Sequence, residues 1–100
     1  MITAIVKGLI RNGKQEDLRR IANILQHEYS MKEEGCIQYE SYIDGLTFIT
    51  IERWANQVVL DQHLAQDHVK KYVPLMRECV ENGTFDVLFI NGGEIETVTI

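Results

Sequence analysis

The chain has 100 residues, of which 45% are hydrophobic and 25% charged, and its formal net charge is −5. That length and composition fit one globular core and exclude a disordered or collagen-like chain. The acidic balance, with no Lys/Arg cluster, gives neither nucleic acid nor an anionic membrane a surface to bind. No apolar run is long enough to span a bilayer. Residues 1–10 lack the basic-then-apolar pattern of a signal peptide, so a cytoplasmic location is expected. The two cysteines, Cys36 and Cys79, are then expected to be free thiols.

Residues 2–10 are apolar and β-branched and predict a strand, which Asn12-Gly13 breaks. Leu18, Ile21, Ala22, Leu25 and Tyr29 then recur on one face of a helix, with Glu16, Arg19, Arg20 and Lys32 off that stripe. Gly35 is a C-terminal stop signal. Residues 36–43 alternate: Ile37, Tyr39, Ser41 and Ile43 share one face, Gln38, Glu40 and Tyr42 the other. Asp44-Gly45 signals a tight hairpin. Across it, Phe48, Thr50, Glu52 and Trp54 lie opposite Thr47, Ile49, Ile51 and Arg53. Asn56 is placed to cap a short helix bearing Val59, Leu60, His63 and Leu64. Asp67 is expected to cap a third helix, with Val69, Tyr72, Val73, Met76 and Val80 on its apolar side and Asn82-Gly83 at its end. Pro74 removes a backbone donor inside that pattern, which predicts a kink or break near residues 70–74. Residues 85–90 and 94–100 read as two further strands around Asn91-Gly92-Gly93.

The order β-α-β-β-α-β, with the second helix broken, predicts an α+β domain of the ferredoxin-like type, with an antiparallel sheet and one domain over residues 1–100. Helices cover one face of such a sheet. The other face also carries large apolar groups here. A second copy of the same sheet is the expected cover, giving a homodimer of the dimeric α/β-barrel kind.

The residues able to carry chemistry cluster between Glu52 and Tyr72. His68 sits at a helix start and is a candidate proton acceptor, or else a capping or interfacial residue. Tyr72, one turn later, can reach toward the same place with its hydroxyl or simply pack. Glu52 needs a partner or a ligand if it points inward. Trp54 either walls a pocket for a planar ligand or fills the core. His63 lies among apolar residues, as a ligand-contacting or a satisfied core histidine. The two histidines lack the spacing of a single-helix metal pair, and no Cys-x-x-Cys or His-Glu-x-x-His is present, so no metal is expected. Asn91-Gly92-Gly93 is a turn and not a phosphate loop.

Three motifs stand in order: Gly35-Cys36-Ile37-Gln38-Tyr39-Glu40, Glu52-Arg53-Trp54, and His63-Leu64 followed by Asp67-His68. In these, and from Ile2 to about Met76, the chain resembles the antibiotic-biosynthesis-monooxygenase family. Val69 stands where the family has an aromatic residue. The resemblance implies a monooxygenase acting with O₂ on a small aromatic or quinol-like substrate, without metal, flavin or other cofactor. It implies His68 as base, Tyr72 and Glu52 orienting substrate oxygens, and Trp54, Tyr39 and His63 contacting the substrate. Haem-degrading relatives use an Asn in the first strand and a later third-helix His. Residues 1–10 hold no Asn, and Tyr72, Val73 and Pro74 follow His68, so haem is not expected. Two other readings stay open. One is an isomerase of a phosphorylated sugar-like signalling molecule, with Arg53 or Lys71 on the phosphate. The other is a non-catalytic ligand-binding dimer.

Overall fold

The computed structural model describes residues 1–100. Five strands, β1 (Ile2–Leu9), β2 (Cys36–Asp44), β3 (Thr47–Trp54), β4 (Asp86–Asn91) and β5 (Glu94–Thr99), form one antiparallel sheet. Their order across the sheet is β2-β3-β1-β4-β5. The first four strands follow the ferredoxin-like order, and β5 adds a hairpin partner to β4 at the edge. Three helices, α1 (Gln15–Ile24), α2 (Gln57–Leu64) and α3 (Asp67–Arg77), cover one face.

The alternation read from the sequence sets the two faces. Ile2, Ala4, Val6 and Gly8 of β1 lie level with Trp54, Glu52, Thr50 and Phe48 of β3, and this face meets the helices. Leu18, Ile21 and Ala22 of α1, with Leu25 just beyond its end, pack onto it. The opposite face carries Ile5, in register with Ile51 on one side and Leu88 on the other, flanked by Ile49 and Ile90. These side chains have no helix over them.

Six local expectations change. After Ile24 the chain widens into a π-helical turn at Leu25–Tyr29 and closes with a 3-10 turn at Ser30–Lys32. A π turn spaces equivalent positions five apart, so the residue below Leu25 is Ser30, which is fully buried, and Tyr29 swings outward. In β2 the register slips between Cys36 and Gln38, which leaves Ile37 exposed and off the Tyr39 face. The hairpin turns on Gly45-Leu46 instead of Asp44-Gly45: Asp44 pairs with Thr47, and Gly45 has the positive φ (60°). Asp67 does not cap α3; Gln66 precedes the helix and Asp67 is its first residue. Pro74 does not break α3, which runs unbroken to Arg77. Its missing donor costs the helix one bond to Lys70, a residue on the exposed side. The break between α2 and α3 lies at Ala65-Gln66, between the short and third helices as the sequence separates them. Asn82-Gly83 belongs to a separate 3-10 turn after α3. Asn56 does cap α2, its Oδ1 accepting from the Val59 N–H at 3.0 Å.

Gly35 positions the junction between α1 and the sheet. Its φ is +83°, and a Cβ there would stand 2.6 Å from both γ-carbons of Val59 on α2. Its carbonyl accepts from Ala55 N–H at 2.9 Å, tying the start of β2 to the end of β3. Gly35→Ala is expected to destabilise the protein by ~2–4 kcal/mol, the sum of left-handed strain and overpacking. Urea denaturation measures this directly, and an unchanged midpoint would contradict the placement of α2.

Candidate active site

A cavity of about 610 Å³ opens between α2, α3 and the sheet. Its wall is mostly apolar, with Val69, Val73, Met76, Val87 and Phe89 among the lining residues. Tyr39 of β2, Glu52 of β3 and His63 of α2 supply polar groups, and Lys70 and Arg77 of α3 supply the cations. The volume lies in the range of small-molecule pockets, and a few polar groups on an apolar wall is their usual make-up.

His63 is held on three sides. Its ring stacks on Trp54 with centroids 4.2 Å apart, and Tyr39 meets it edge-on at 5.9 Å. Its Nδ1–H donates to Oε2 of Glu33 at 2.7 Å. The opposite nitrogen, Nε2, lies 3.8 Å from Oε1 of Glu52. That same Glu52 oxygen accepts from the Trp54 indole N–H at 3.0 Å. Trp54 is fully buried beneath this pair.

Glu33 also accepts from His68. The His68 Nε2–H reaches the same Oε2 at 3.1 Å. The break at Ala65-Gln66 makes this possible: it lets the last turn of α2 and the first turn of α3 aim both imidazoles at one point. The opposite face of His68 stacks on Tyr29, with centroids 4.8 Å apart and planes 18° from parallel. Tyr72 tilts against Tyr29 at 5.7 Å.

Burial shapes the charge states. Burial pushes the Glu52 carboxyl up to about 7; the Trp54 N–H opposes the rise and the Glu33 charge adds to it. Burial lowers the His63 imidazole, with the Glu33 hydrogen bond and charge pulling the other way. His63 is therefore neutral at pH 7, with its proton on Nδ1 and its lone pair on Nε2. Burial, reinforced by Glu52, drives the Tyr39 phenol well above its ordinary value, so it stays protonated. Cys36 and Cys79 are free thiols outside the cavity wall. Burial raises both, Cys36 to about 11.

Of the residues singled out in the sequence, Glu52, His63 and Tyr39 line the cavity, and His68, Tyr72 and Trp54 do not. His68 is also the second residue of α3, not the first. Trp54 lies under the site as its floor. His68 and Tyr72 lie behind Glu33, grouped around Tyr29. Arg53 points to the open face of the sheet, and the Lys71 ammonium sits 5.0 Å from the Tyr72 ring centroid, so neither cation expected to hold a phosphate reaches the cavity. Glu33 was missed. In the sequence it is one of two glutamates before a glycine, indistinguishable from a solvated helix end.

Residues 1–75 match the family described as antibiotic biosynthesis monooxygenase. The chain belongs to this family. Among solved structures it is similar to an antibiotic biosynthesis monooxygenase at 23% identity, covering 94% of this chain and all of that one, with a TM-score of 0.83. It is also similar to a conserved protein from Methanosarcina mazei Go1, at 27% identity over 99% of this chain and 89% of that one, with a TM-score of 0.75. A third likeness, to a protein from Shewanella oneidensis, has 26% identity over 99% of this chain and 91% of that one, with a TM-score of 0.76. No curated protein matches. No helix is long and apolar enough to cross a membrane.

Because the Glu52 value lies above its ordinary 4.5, the folded state holds this proton more tightly than the unfolded chain. Its contribution to stability is greatest below about pH 4.5 and declines as pH rises toward 7, by up to ~1.4 kcal/mol per unit. Glu52→Gln keeps a carbonyl for the Trp54 N–H and has no charge to bury. The melting temperature of this variant is expected to gain on wild type by roughly 5 °C or more between pH 5 and pH 8. Parallel melting curves across that range would show that Glu52 is not a buried titrating acid.

Proposed function

We propose that the protein is a cofactor-independent monooxygenase that uses O₂ to oxidise a small phenol or hydroquinone bound in the cavity. Family membership supports the reaction class. The observation that carries the mechanism is His63, fixed by Glu33 through Nδ1 and lining the cavity with its Nε2 lone pair toward Glu52. In this proposal His63 takes the base role expected of His68.

His63 Nε2 accepts the phenolic proton. The Glu33 carboxylate stabilises the resulting imidazolium through the Nδ1–H bond, and keeps the ring in the tautomer that leaves Nε2 free. The phenolate is electron-rich and passes one electron to O₂. The radical pair then joins through a new carbon–oxygen bond at an unsubstituted ring carbon. The O–O bond breaks with loss of that carbon's proton; one oxygen stays as a carbonyl and the other leaves as water. A hydroquinone plus O₂ thus gives a hydroxyquinone plus water. The apolar wall excludes water and holds the ring. Glu52 and Tyr39 orient the substrate oxygens, and Lys70 and Arg77 favour a substrate carrying negative charge. Trp54 braces His63. His68 and Tyr72 act at one remove, by holding Glu33 and Tyr29.

The open sheet face supports a homodimer. Ile5, Ile49, Ile51, Leu88 and Ile90 form an apolar patch that a second copy of the same sheet would cover. Light scattering at micromolar concentration should give twice the 11.6 kDa chain mass. Ile51→Glu should reduce it to one chain. A monomeric wild type would remove the dimer.

Quinol-dependent O₂ consumption tests the activity. His63→Ala is expected to lower the rate ~10²–10⁴-fold, the usual worth of a general base. His68→Ala should cost less, because His63 keeps its Glu33 contact. Circular dichroism checks that both fold. Equal rates in wild type and a folded His63→Ala protein would exclude His63 as base.

A further inference from the structure

Three side chains from three separate segments bring one donor atom each to a common point behind the cavity. We propose that Glu33 Oε2, His63 Nδ1 and His68 Nε2 form a binding site for a divalent transition-metal ion of the zinc class. These three atoms lie within 4.8 Å of one another. The oxygen is 2.7 Å from one nitrogen and 3.1 Å from the other. Ligands held ~2.0–2.2 Å from a tetrahedral ion stand about 3.4 Å apart, so admitting the ion takes a retreat of the Glu33 carboxylate by roughly half an ångström and an approach of the two ring nitrogens, which lie within 4.8 Å of each other. Two imidazoles and a carboxylate suit zinc, cobalt or nickel better than magnesium or calcium. Three protein ligands leave a fourth position for water.

The surroundings fit a metal as well as the donors do. The three side chains are only 11%, 5% and 12% exposed, unlike a solvated charge cluster. Trp54 stacked on His63 and Tyr29 stacked on His68 fix both rings before an ion arrives. Metal-bound histidines commonly give their other ring proton to a carboxylate. For His63 that group is Glu52, whose Oε1 is 3.8 Å from Nε2 and must close by roughly 0.8 Å to accept that proton.

Occupancy has a chemical consequence, which rests on the oxygenase reading. An ion on His63 Nδ1 displaces the proton from that nitrogen. The neutral ring then carries its proton on Nε2, the atom that would accept the substrate proton. The metal therefore switches the base off.

The test is a Co²⁺ titration of tag-free, chelator-treated protein, followed by visible absorption. One equivalent should bind with the intense bands of a low-coordinate site. Glu33→Gln and His68→Asn should each weaken binding at least tenfold, while His27→Asn, which removes the exposed third histidine, should not. No binding to wild type, or binding that survives both substitutions in folded proteins, overturns the site. If a variant fails to fold, the imidazole ¹⁵N resonances of wild type on Zn²⁺ addition decide: shifts at His63 and His68 support the site, and a shift at His27 alone overturns it. These readouts need no turnover, so they stand or fall separately from the oxygenase reading. Quinol oxidation should fall as Co²⁺ saturates; full turnover with one equivalent bound would overturn the switch.

Discussion

One carboxylate oxygen, Oε2 of Glu33, ties the extension of α1 to the junction of α2 and α3. It takes a proton donor from the last turn of α2 and another from the first turn of α3, while its own backbone closes the extension of α1. A largely buried carboxylate is costly unless its lone pairs are filled. Here both donors are imidazoles already clamped by aromatic stacking, so filling them requires little further ordering. Loss of the carboxylate would leave two inward N–H groups unpaired, at about 1–3 kcal/mol each.

Two departures from regular helix serve this contact. The π turn at Leu25–Tyr29 adds a residue to one turn of α1. That insertion turns Ser30 into the core and frees Tyr29 to cover His68, and it delivers Glu33 at the end of the following 3-10 turn. The break at Ala65-Gln66 does the same for the histidines. On one continuous helix, residues five apart point in divergent directions. A break between them makes convergence possible. Irregular backbone of this kind is common at functional sites.

The sheet divides the remaining work between its faces. The helix-covered face holds a cavity whose polar groups sit among apolar walls, where their charge states move away from those in water. The Glu52 carboxyl rises to about 7 and the His63 imidazole falls. A carboxyl raised toward neutrality beside an imidazole lowered by burial is an arrangement suited to proton transfer. The open face has the same strands and different chemistry: an aliphatic row of Ile51, Ile5 and Leu88, with Lys7 and Asp86 in the row beside it. Because neighbouring residues alternate between faces, each strand of β1–β3 writes both surfaces at once.

Much of this was legible in the residues themselves. Alternation in residues 46–54 identified which side chains of β3 face the helices, because a strand's period of two is fixed by covalent geometry. The α1 stripe, the Asn56 cap and the ferredoxin-like order followed from equally local rules. The motifs around Gly35, Glu52-Arg53-Trp54 and His63…His68 pointed to the family. Sequence spacing located the neighbourhood of the site and named Glu52, His63 and Tyr39 within it. It placed the break between the helices of His63 and His68 correctly, but added a second irregularity near Pro74, a strong local breaker, where α3 runs on to Arg77 without interruption. It also missed Glu33, which lies 30 residues from His63 and 35 from His68 in the chain. Local periodicity carries no information about such a contact. Only the packing of α1 against the α2–α3 junction decides that this glutamate turns inward, and that His63, not His68, meets the cavity.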